Sequence, residues 1–261
     1  MDDAKVTVPA EPGLSIVIPA YNEEHRLPRT LDEIAGFRSQ FARPLEIIVC
    51  DDGSEDGTSA LVEDRGKATP YVHLLRLPHR GKGAAVRAGM LAATLPFVML
   101  CDADLSMPIE DLGRFVAVLD EGCAVAIGSR EGPGAKRYGE PARRHFMGRI
   151  FNVFVKLLVI GGLDDTQCGF KGFQRSAARD LFSRQRMDGF SFDAEVLFLA
   201  RKRGYSMKVI GIDWYFNGDS RVRAVSDTFA MTLDLLRIRL NDLRGIYRSG
   251  AKALDTSEDV P

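Results

Sequence analysis

LSIVIPAYNEE, residues 14 to 24, joins a short apolar run directly to a polar segment. Similar apolar runs return along the chain: LEIIVC (45 to 50), YVHLL (71 to 75), PFVMLC (96 to 101) and CAVAIGS (123 to 129). They are apolar throughout rather than alternating, which is typical of strands covered on both faces. Amphipathic segments separate them, at residues 24 to 41, 57 to 67, 82 to 94 and 108 to 120. This alternation predicts an α/β fold with a mostly parallel sheet flanked by helices.

The bulk composition is that of a globular protein, with 45% hydrophobic and 27% charged residues among 261. The 35 Lys and Arg residues are balanced by 36 Asp and Glu residues, which argues against a nucleic-acid partner. The four cysteines lack C-x-x-C spacing, as expected in a reducing compartment. The first ten residues lack the apolar segment of a signal peptide, and Ile150 to Leu163 is too short to span a bilayer. We therefore expect a cytoplasmic protein.

Polar residues follow four of the apolar runs at the point where each predicted strand ends. They are PAYNE (19 to 23), Asp51 to Ser54, Asp102 to Asp104, and Ser129 with Arg130. Ligands of open α/β sheets bind beyond the carboxyl ends of the strands. The sequence therefore predicts a cleft at this edge, lined by carboxylates and one arginine.

Asp102 and Asp104 are the candidate metal ligands. If the backbone stays extended, residues two apart project to the same face, and two carboxylates there suit Mg²⁺ or Mn²⁺. The alternative is that the pair only caps the helix that Pro108 opens. The acidic segment Asp51 to Thr58 has a similar alternative, because its residue types are those of turns and caps.

Arg80-Gly-Lys82-Gly83 precedes a predicted helix, where backbone N–H groups and Lys82 could meet a phosphate. A plain turn explains the same four residues. Neither a Walker A loop nor G-x-G-x-x-G is present in the sequence.

Taken together, these segments resemble the family 2 glycosyltransferases of GT-A fold, and among them the polyprenyl-phosphate sugar transferases that include dolichyl-phosphate β-glucosyltransferases. The resemblance runs from about Leu14 to Tyr247. It is carried by VIPAYNEE (17 to 24), DDGSEDGT (51 to 58), GKGAAVRAGM (81 to 90), DADLSMPIEDL (102 to 112), GSR (128 to 130), DTQCGFKGF (165 to 173) and FDAEVLFLA (192 to 200).

The resemblance implies a nucleotide-sugar donor, with UDP-glucose favoured and GDP-mannose the alternative. It places Lys82 beside the nucleotide and a metal ion on Asp102 and Asp104. It assigns the base and ribose to Pro19, Tyr21, Glu23 and Asp52. The DTQCGFK segment is similar to the glucosyltransferase branch, which makes Asp165 and Gln167 candidate sugar-pocket residues. Where the mannosyltransferases have glutamine two residues after the second acid, this chain has Ser106.

Two acceptors fit an inverting transfer. A polyprenyl phosphate is already ionised at neutral pH and needs positive charge to position it, for which Arg130, Arg144 and Arg221 are the candidates. A hydroxyl acceptor needs a general base instead, and Asp193 is the candidate. A third alternative, a non-catalytic sugar-nucleotide-binding or membrane-adaptor module, is disfavoured because both Asp102 and Asp104 are present.

Residues 143 to 160 place Ile150, Phe154 and Leu157 on one helical face, and residues 225 to 247 carry apolar residues at helical spacing. Core packing would explain both segments. Both are also basic: residues 130 to 149 hold six Lys or Arg and two acids, and residues 221 to 248 hold six Arg and three Asp. Basic flanks beside apolar faces favour peripheral contact with an anionic membrane, here on its cytosolic face.

The predicted organisation has four parts. Residues 1 to 12 form a flexible N-terminus, and residues 13 to 224 form the catalytic domain with the 143 to 160 segment. Residues 225 to 249 form a C-terminal amphipathic helix, and residues 250 to 261 form a disordered tail.

Overall fold

The computed structural model describes residues 11–216 and 226–248, except for the side chains of residues 142–144, 146–147, 150–151 and 226–229. The strands are β1 (Leu14–Ala20), β2 (Leu45–Asp51), β3 (Val72–Arg76), β4 (Phe97–Leu100), β5 (Val125–Ser129), β6 (Lys136–Tyr138), β7 (Lys171–Gln174), β8 (Met207–Gly211) and β9 (Asp213–Tyr215). The helices are α1 (Leu27–Arg38), α2 (Thr58–Ala68), α3 (Lys82–Ala92), α4 (Leu112–Asp120), α5 (Ala142–Leu158), α6 (Arg175–Arg184), α7 (Phe192–Lys202) and α8 (Ser226–Leu243). A 3₁₀ turn, Ile109–Asp111, precedes α4.

The main sheet has the strand order β3-β2-β1-β4-β7-β5-β8. Strand β7 runs antiparallel to both β4 and β5, and the other neighbouring strands pair in parallel. Strands β6 and β9 form a separate two-stranded parallel sheet. The predicted α/β fold with a mostly parallel sheet is confirmed.

All five predicted strands are present, but the expectation that every strand is covered on both faces is wrong for β3. Its residues Leu74 and Leu75 are only partly buried and His73 is exposed. The reason is position, because β3 lies at the edge of the sheet. Strands β6 to β9 were not predicted; of these, β7 lies within the main sheet, and its KGFQ sequence at residues 171–174 is short and contains a lysine and a glycine.

The core consists of two apolar clusters, one on each face of the sheet. Val17 of β1 faces one cluster, which also holds residues of α3, α6 and α7. Ile16 and Ile18 face the other, which holds residues of α1, α2 and α4. Helix α3 lies very close to the sheet: a Cβ on Gly89 would come within 2.4 Å of Cys50 Sγ and 2.5 Å of a Val17 methyl. Only glycine allows this approach.

Helices α5 and α8 pack against each other and leave apolar side chains in solvent. Leu157 of α5 is 77% exposed and Leu243 of α8 is 82% exposed. We define the apolar face as the exposed hydrophobic residues of both helices, which are Val153, Phe154, Leu157, Leu233, Leu236, Leu240 and Leu243. The described leucines of the predicted apolar stripe in the C-terminal helix therefore face solvent rather than the core. The core contacts of α8 come from Leu235 and Ile238, which are fully buried.

Some of the segments predicted from the sequence lie wholly or partly outside the described residues. Residues 1–10 and 249–261 are among them, and so are two positions of the predicted C-terminal apolar stripe, Val225 and the side chain of Phe229. Across residues 11–216 and 226–248, no helix combines the length and the apolar character needed to cross a bilayer.

Candidate active site

The site lies at the edge of the sheet where β1, β2, β4 and β5 end, because these strands run in the same direction. The segments that follow them carry the polar residues predicted from the sequence. Lys82, at the start of α3, points to the segment after β4: its Nζ lies 2.5 Å from Asp102 Oδ1. The start of a helix and the end of a strand thus meet in one ion pair.

Asp102 and Asp104 lie on a turn rather than along an extended strand. The N–H of Leu105 donates to the Asp102 carbonyl at 3.2 Å, and Leu105 has a φ of 40°. This is the left-handed region, which is strained for a leucine. The extended backbone that would place both carboxylates on one face is not present, because β4 ends at Leu100 and the chain turns at residues 103–104.

Burial and neighbouring charges shift the pKa values of the two carboxyl groups in opposite directions. Burial tends to raise the pKa of Asp102, but the cations of Lys82, Lys171 and Arg130 together hold that pKa below its ordinary value. Burial raises the pKa of Asp104, and the negative charge of Asp102 raises it further. Asp104 therefore lies where negative charge is only partly neutralised.

These carboxyl groups fit a divalent cation, which would neutralise the remaining charge. Within the described ranges no group of three or more His, Cys, Asp or Glu residues could hold a metal ion. A cation at Asp102 and Asp104 would therefore complete its coordination with water and a phosphate ligand, as Mg²⁺ commonly does.

The loop before α3 is built around Asp52. Its carboxylate accepts the N–H of Arg80 at 3.0 Å and the N–H of Gly81 at 2.9 Å, and it is 3% exposed. Gly81 has a φ of 117°, which favours glycine. In this structure Asp52 shapes the loop that carries Lys82, and its direct contact with a nucleotide stays a prediction.

The other candidates for the nucleotide pocket lie at the end of β1. Pro19 is buried within the strand, opposite Cys50. Glu23 is buried and pairs with Arg26, the closest atoms lying 2.6 Å apart. Tyr21 is half-buried and stacks on His79, with ring centroids 4.2 Å apart. Of the group, the Tyr21 ring is the surface most suited to a nucleobase, and His79 is a neighbour that the sequence did not indicate.

Arg130 and Asp165 were predicted as separate ligands, and the structure pairs them with each other. Nε and Nη2 of Arg130 donate to the two oxygens of Asp165 at 2.7 and 2.9 Å. Burial opposes ionisation of Asp165, but Arg130 holds its pKa well below the usual range. The guanidinium also lies over the ring of Trp214, 5.3 Å from its centroid. Arg130 is thereby held rigidly at the end of β5.

Gln167 fits a sugar pocket better than Asp165 does. Among the described residues, its Nε2 is buried without a hydrogen-bond partner, and so is Oγ1 of the adjacent Thr166. Buried polar groups of this kind require an explanation, and a bound hydroxyl-rich ligand would supply one.

Asp193 is paired as well. Its Oδ1 lies 2.6 Å from Nζ of Lys171, and the two side chains are 5% and 1% exposed. Burial raises the pKa of Asp193 although Lys171 and Lys82 lower it. Sequence reasoning missed Lys171; the signal was a lysine among the apolar residues of GFKGF, residues 169 to 173. Of the remaining candidates, Arg144 lies in α5 with its side chain outside the described set, and Arg221 lies outside the described residues.

Gly169 packs directly against the Asp102 carboxylate. A Cβ at residue 169 would lie 1.9 Å from Asp102 Oδ2, well inside van der Waals contact. Sequence reasoning did not single out this glycine, because its neighbour lies 67 residues away in the chain, from Asp102 to Gly169.

We predict that Gly169→Ala displaces Asp102 and weakens Mn²⁺ binding, titrated calorimetrically in the presence of UDP, by about tenfold or more. The matched control is Gly113→Ala in α4, where an added Cβ meets nothing within 4 Å. Equal Mn²⁺ affinity in the two variants would show that the contact between Gly169 and Asp102 does not position the acid.

Comparison with known proteins gives a consistent result. The family model for Glycosyl transferase family 2 matches residues 15–182. The dolichyl-phosphate β-glucosyltransferase of Dictyostelium discoideum is 33% identical over 251 residues, covering 90% of this chain and 76% of that protein. The Homo sapiens enzyme of the same name is 32% identical over 252 residues, covering 90% and 77%.

Among solved structures, glucosyl-3-phosphoglycerate synthase from Mycobacterium tuberculosis, in complex with Mn²⁺, UDP and phosphoglyceric acid, aligns with a TM-score of 0.63. The alignment has 20% identity and covers 88% of this chain and 78% of that one. At this identity the likeness concerns the fold, and it confirms the predicted GT-A fold. The family model and the relatives confirm the resemblance found in the motifs: the chain belongs to glycosyl transferase family 2 and is a glycosyltransferase.

Proposed function

We propose that the enzyme transfers glucose from UDP-glucose to dolichyl phosphate or a similar polyprenyl phosphate, at the cytosolic face of a membrane. The observation that carries the proposal is the ion pair between Lys82 and Asp102, with Asp104 beside it, at the carboxyl edge of the sheet. The names of the curated relatives support glucose as the sugar and dolichyl phosphate as the acceptor.

The donor site needs positive charge for a diphosphate and carboxylates for a cation, and this edge holds both. The carboxylates of Asp102, Asp193 and Asp104 raise the pKa of Lys82 against the effect of burial, so the ammonium stays charged. Mn²⁺ and UDP in the complex of the structural neighbour support a divalent ion with a nucleoside diphosphate. When bound, such an ion would neutralise charge that builds up on the leaving diphosphate.

The proposed reaction is a single displacement. An oxygen of the acceptor phosphate forms a bond to the anomeric carbon of glucose while the bond from that carbon to the diphosphate breaks, and the product is β-linked. The acceptor's second pKa is near 6, as for other phosphate monoesters, so its oxygen needs no base. The protein has to position two anions, and Lys82 and Arg130 are cations at the ends of different elements.

Arg130 suits this positioning because its own orientation is fixed. The pair with Asp165 and the ring of Trp214 hold the guanidinium, and the side chain is 19% exposed. A preorganised guanidinium loses little conformational entropy when it binds a phosphate.

Asp193 is a poor general base in this arrangement, because its carboxylate is buried and bound to Lys171. A base must reach the proton that it removes. This favours the phosphate acceptor over the hydroxyl acceptor that Asp193 would serve.

We predict that Arg130→Lys lowers kcat with dolichyl phosphate by about tenfold or more, because lysine keeps the charge beside Asp165 but loses the planar fork. Arg130→Ala is avoided since it would leave Asp165 buried without its partner. Asp193→Asn removes the charge but keeps an oxygen that can accept from Lys171, and it should lower kcat less once thermal unfolding and donor affinity are matched. Dolichol, which has a hydroxyl instead of the phosphate, is the control acceptor and should accept no glucose. Transfer to dolichol, with a larger loss in Asp193→Asn, would favour the hydroxyl mechanism.

A lipid surface is proposed as a partner because the apolar face of α5 and α8 is exposed and flanked by cations. Arg149 in α5 is half-exposed, and Arg237 and Arg239 in α8 are exposed. Apolar residues with basic flanks are typical of helices that lie in a membrane interface. All four cysteines are unpaired in the structure, which supports the cytosolic side.

We predict that Leu236→Ser with Leu240→Ser weakens binding to vesicles of phosphatidylglycerol and phosphatidylcholine by about tenfold or more, since two leucines no longer enter the bilayer. The matched control is Val209→Ser in β8, because Val209 is 48% exposed, the same as Leu240. Co-sedimentation at low salt measures both. Equal binding of the double variant and the control would contradict a membrane role for the apolar face.

A further inference from the structure

Glu195 is a fully buried carboxyl group in α7 that takes no part in the chemistry proposed above. One oxygen, Oε2, accepts the backbone N–H groups of Arg186 at 2.9 Å and Met187 at 2.8 Å. The other, Oε1, accepts the hydroxyl of Tyr247 at 2.6 Å. A buried acid with this many partners organises the segments that it joins.

The two N–H groups belong to residues 185–189, here called the 185–189 loop, which form most of the segment between α6 and α7. Gln185 is also fully buried, and its Nε2 donates to the carbonyls of Met187 at 2.7 Å and Gly83 at 2.8 Å. The loop is thus fixed from one side by Glu195 and is bound on the other side to α3.

The 185–189 loop packs tightly on the first turn of α3. A Cβ on Gly83 would lie 2.6 Å from the Met187 carbonyl oxygen, and one on Gly81 would lie 2.7 Å from the Asp188 carbonyl oxygen. That Asp188 oxygen also accepts the N–H of Ala84 at 3.1 Å. The contact is backbone against backbone, so movement of the loop would move the start of α3.

Lys82 lies between these two glycines. Its Nζ contacts Asp102, and so its position depends on where the first turn of α3 is held. Arg80, on the other side of Gly81, pairs with Asp188 of the loop at 2.7 Å. The loop therefore holds the residues on both sides of Lys82.

Tyr247 connects this assembly to the C-terminal helix. It follows the end of α8, is 4% exposed, and lies 3.5 Å from Asn241 Nδ2 through its hydroxyl. Helix α8 is held along α7 by a hydrogen bond from Ser191 to Asp234. Helix α8, which carries four residues of the apolar face, is thus joined by hydrogen bonds to the residues that hold the 185–189 loop.

We propose that Glu195 and Tyr247 are positioning residues for the donor diphosphate: through the 185–189 loop they set the first turn of α3, and with it Lys82. The inference rests on the proposed nucleoside diphosphate donor. It makes the C-terminal helix part of the donor site's support, although neither residue faces the site.

The test is Tyr247→Phe in the full chain, which removes only the hydroxyl. Tyr205→Phe is the matched control, because the Tyr205 hydroxyl also donates to a carboxylate, Asp180 Oδ2 at 3.0 Å, which belongs to α6 and not to the 185–189 loop. Calorimetry with Mn²⁺ measures affinity for UDP and for UMP, which lacks the second phosphate. Tyr247→Phe should weaken UDP binding by about three- to tenfold and leave UMP binding unchanged, and Tyr205→Phe should change neither.

The other possible outcomes would overturn either the proposed donor or the positioning role. If the wild-type chain binds neither nucleotide, the proposed donor is wrong. If it binds UDP and Tyr247→Phe binds UDP equally well, the positioning role is overturned. An equal loss for UDP and UMP would overturn it too, because it would show general loosening of the fold. If Tyr247→Phe unfolds below the assay temperature, Glu195→Gln serves instead: its amide oxygen still accepts from the loop while the contact with Tyr247 changes.

Discussion

The contact between the Lys82 ammonium and the Asp102 carboxylate is the interaction on which the rest of the site depends. It joins the start of α3 to the turn after β4, and neighbouring residues hold each partner in position. The 185–189 loop and Asp52 hold the α3 side, while Gly169 lies directly against the Asp102 carboxylate. A cation and an anion at this distance each stabilise the charged form of the other. Asp104 lies near this pair and adds a second carboxyl group.

Three acids of the site hold a backbone segment or a cationic side chain in position. Asp52 shapes the loop before α3, Asp165 orients Arg130, and Asp193 neutralises the buried Lys171. A buried carboxylate costs free energy unless it is paired, and each of these three is paired. The resulting rigidity suits displacement between two anions, where stabilisation comes from charges already in place before reaction.

The sequence predicted strands β1 to β5, the sheet edge and the acids at the strand ends because an apolar run followed by aspartates is a local pattern. It could not show that Asp52 accepts N–H groups 28 and 29 residues away or that Arg130 meets an acid 35 residues away, since such partners depend on the fold. Helix α8 shows a second limit. It has leucines on two faces, and only its packing reveals that Leu235 enters the core while Leu236 remains in solvent.

The most direct test of the account is transfer of labelled glucose from UDP-glucose to dolichyl phosphate, counted in the organic phase, by the wild-type chain and by Asp104→Asn. The wild-type chain should give label that depends on Mn²⁺ or Mg²⁺. Asp104→Asn should transfer at a rate lower by about a hundredfold or more, with unchanged thermal unfolding, because a partly exposed carboxylate at a strand end contributes little to packing. Wild-type transfer by Asp104→Asn, or no label in dolichyl phosphate from a folded wild-type chain that binds UDP, would contradict it.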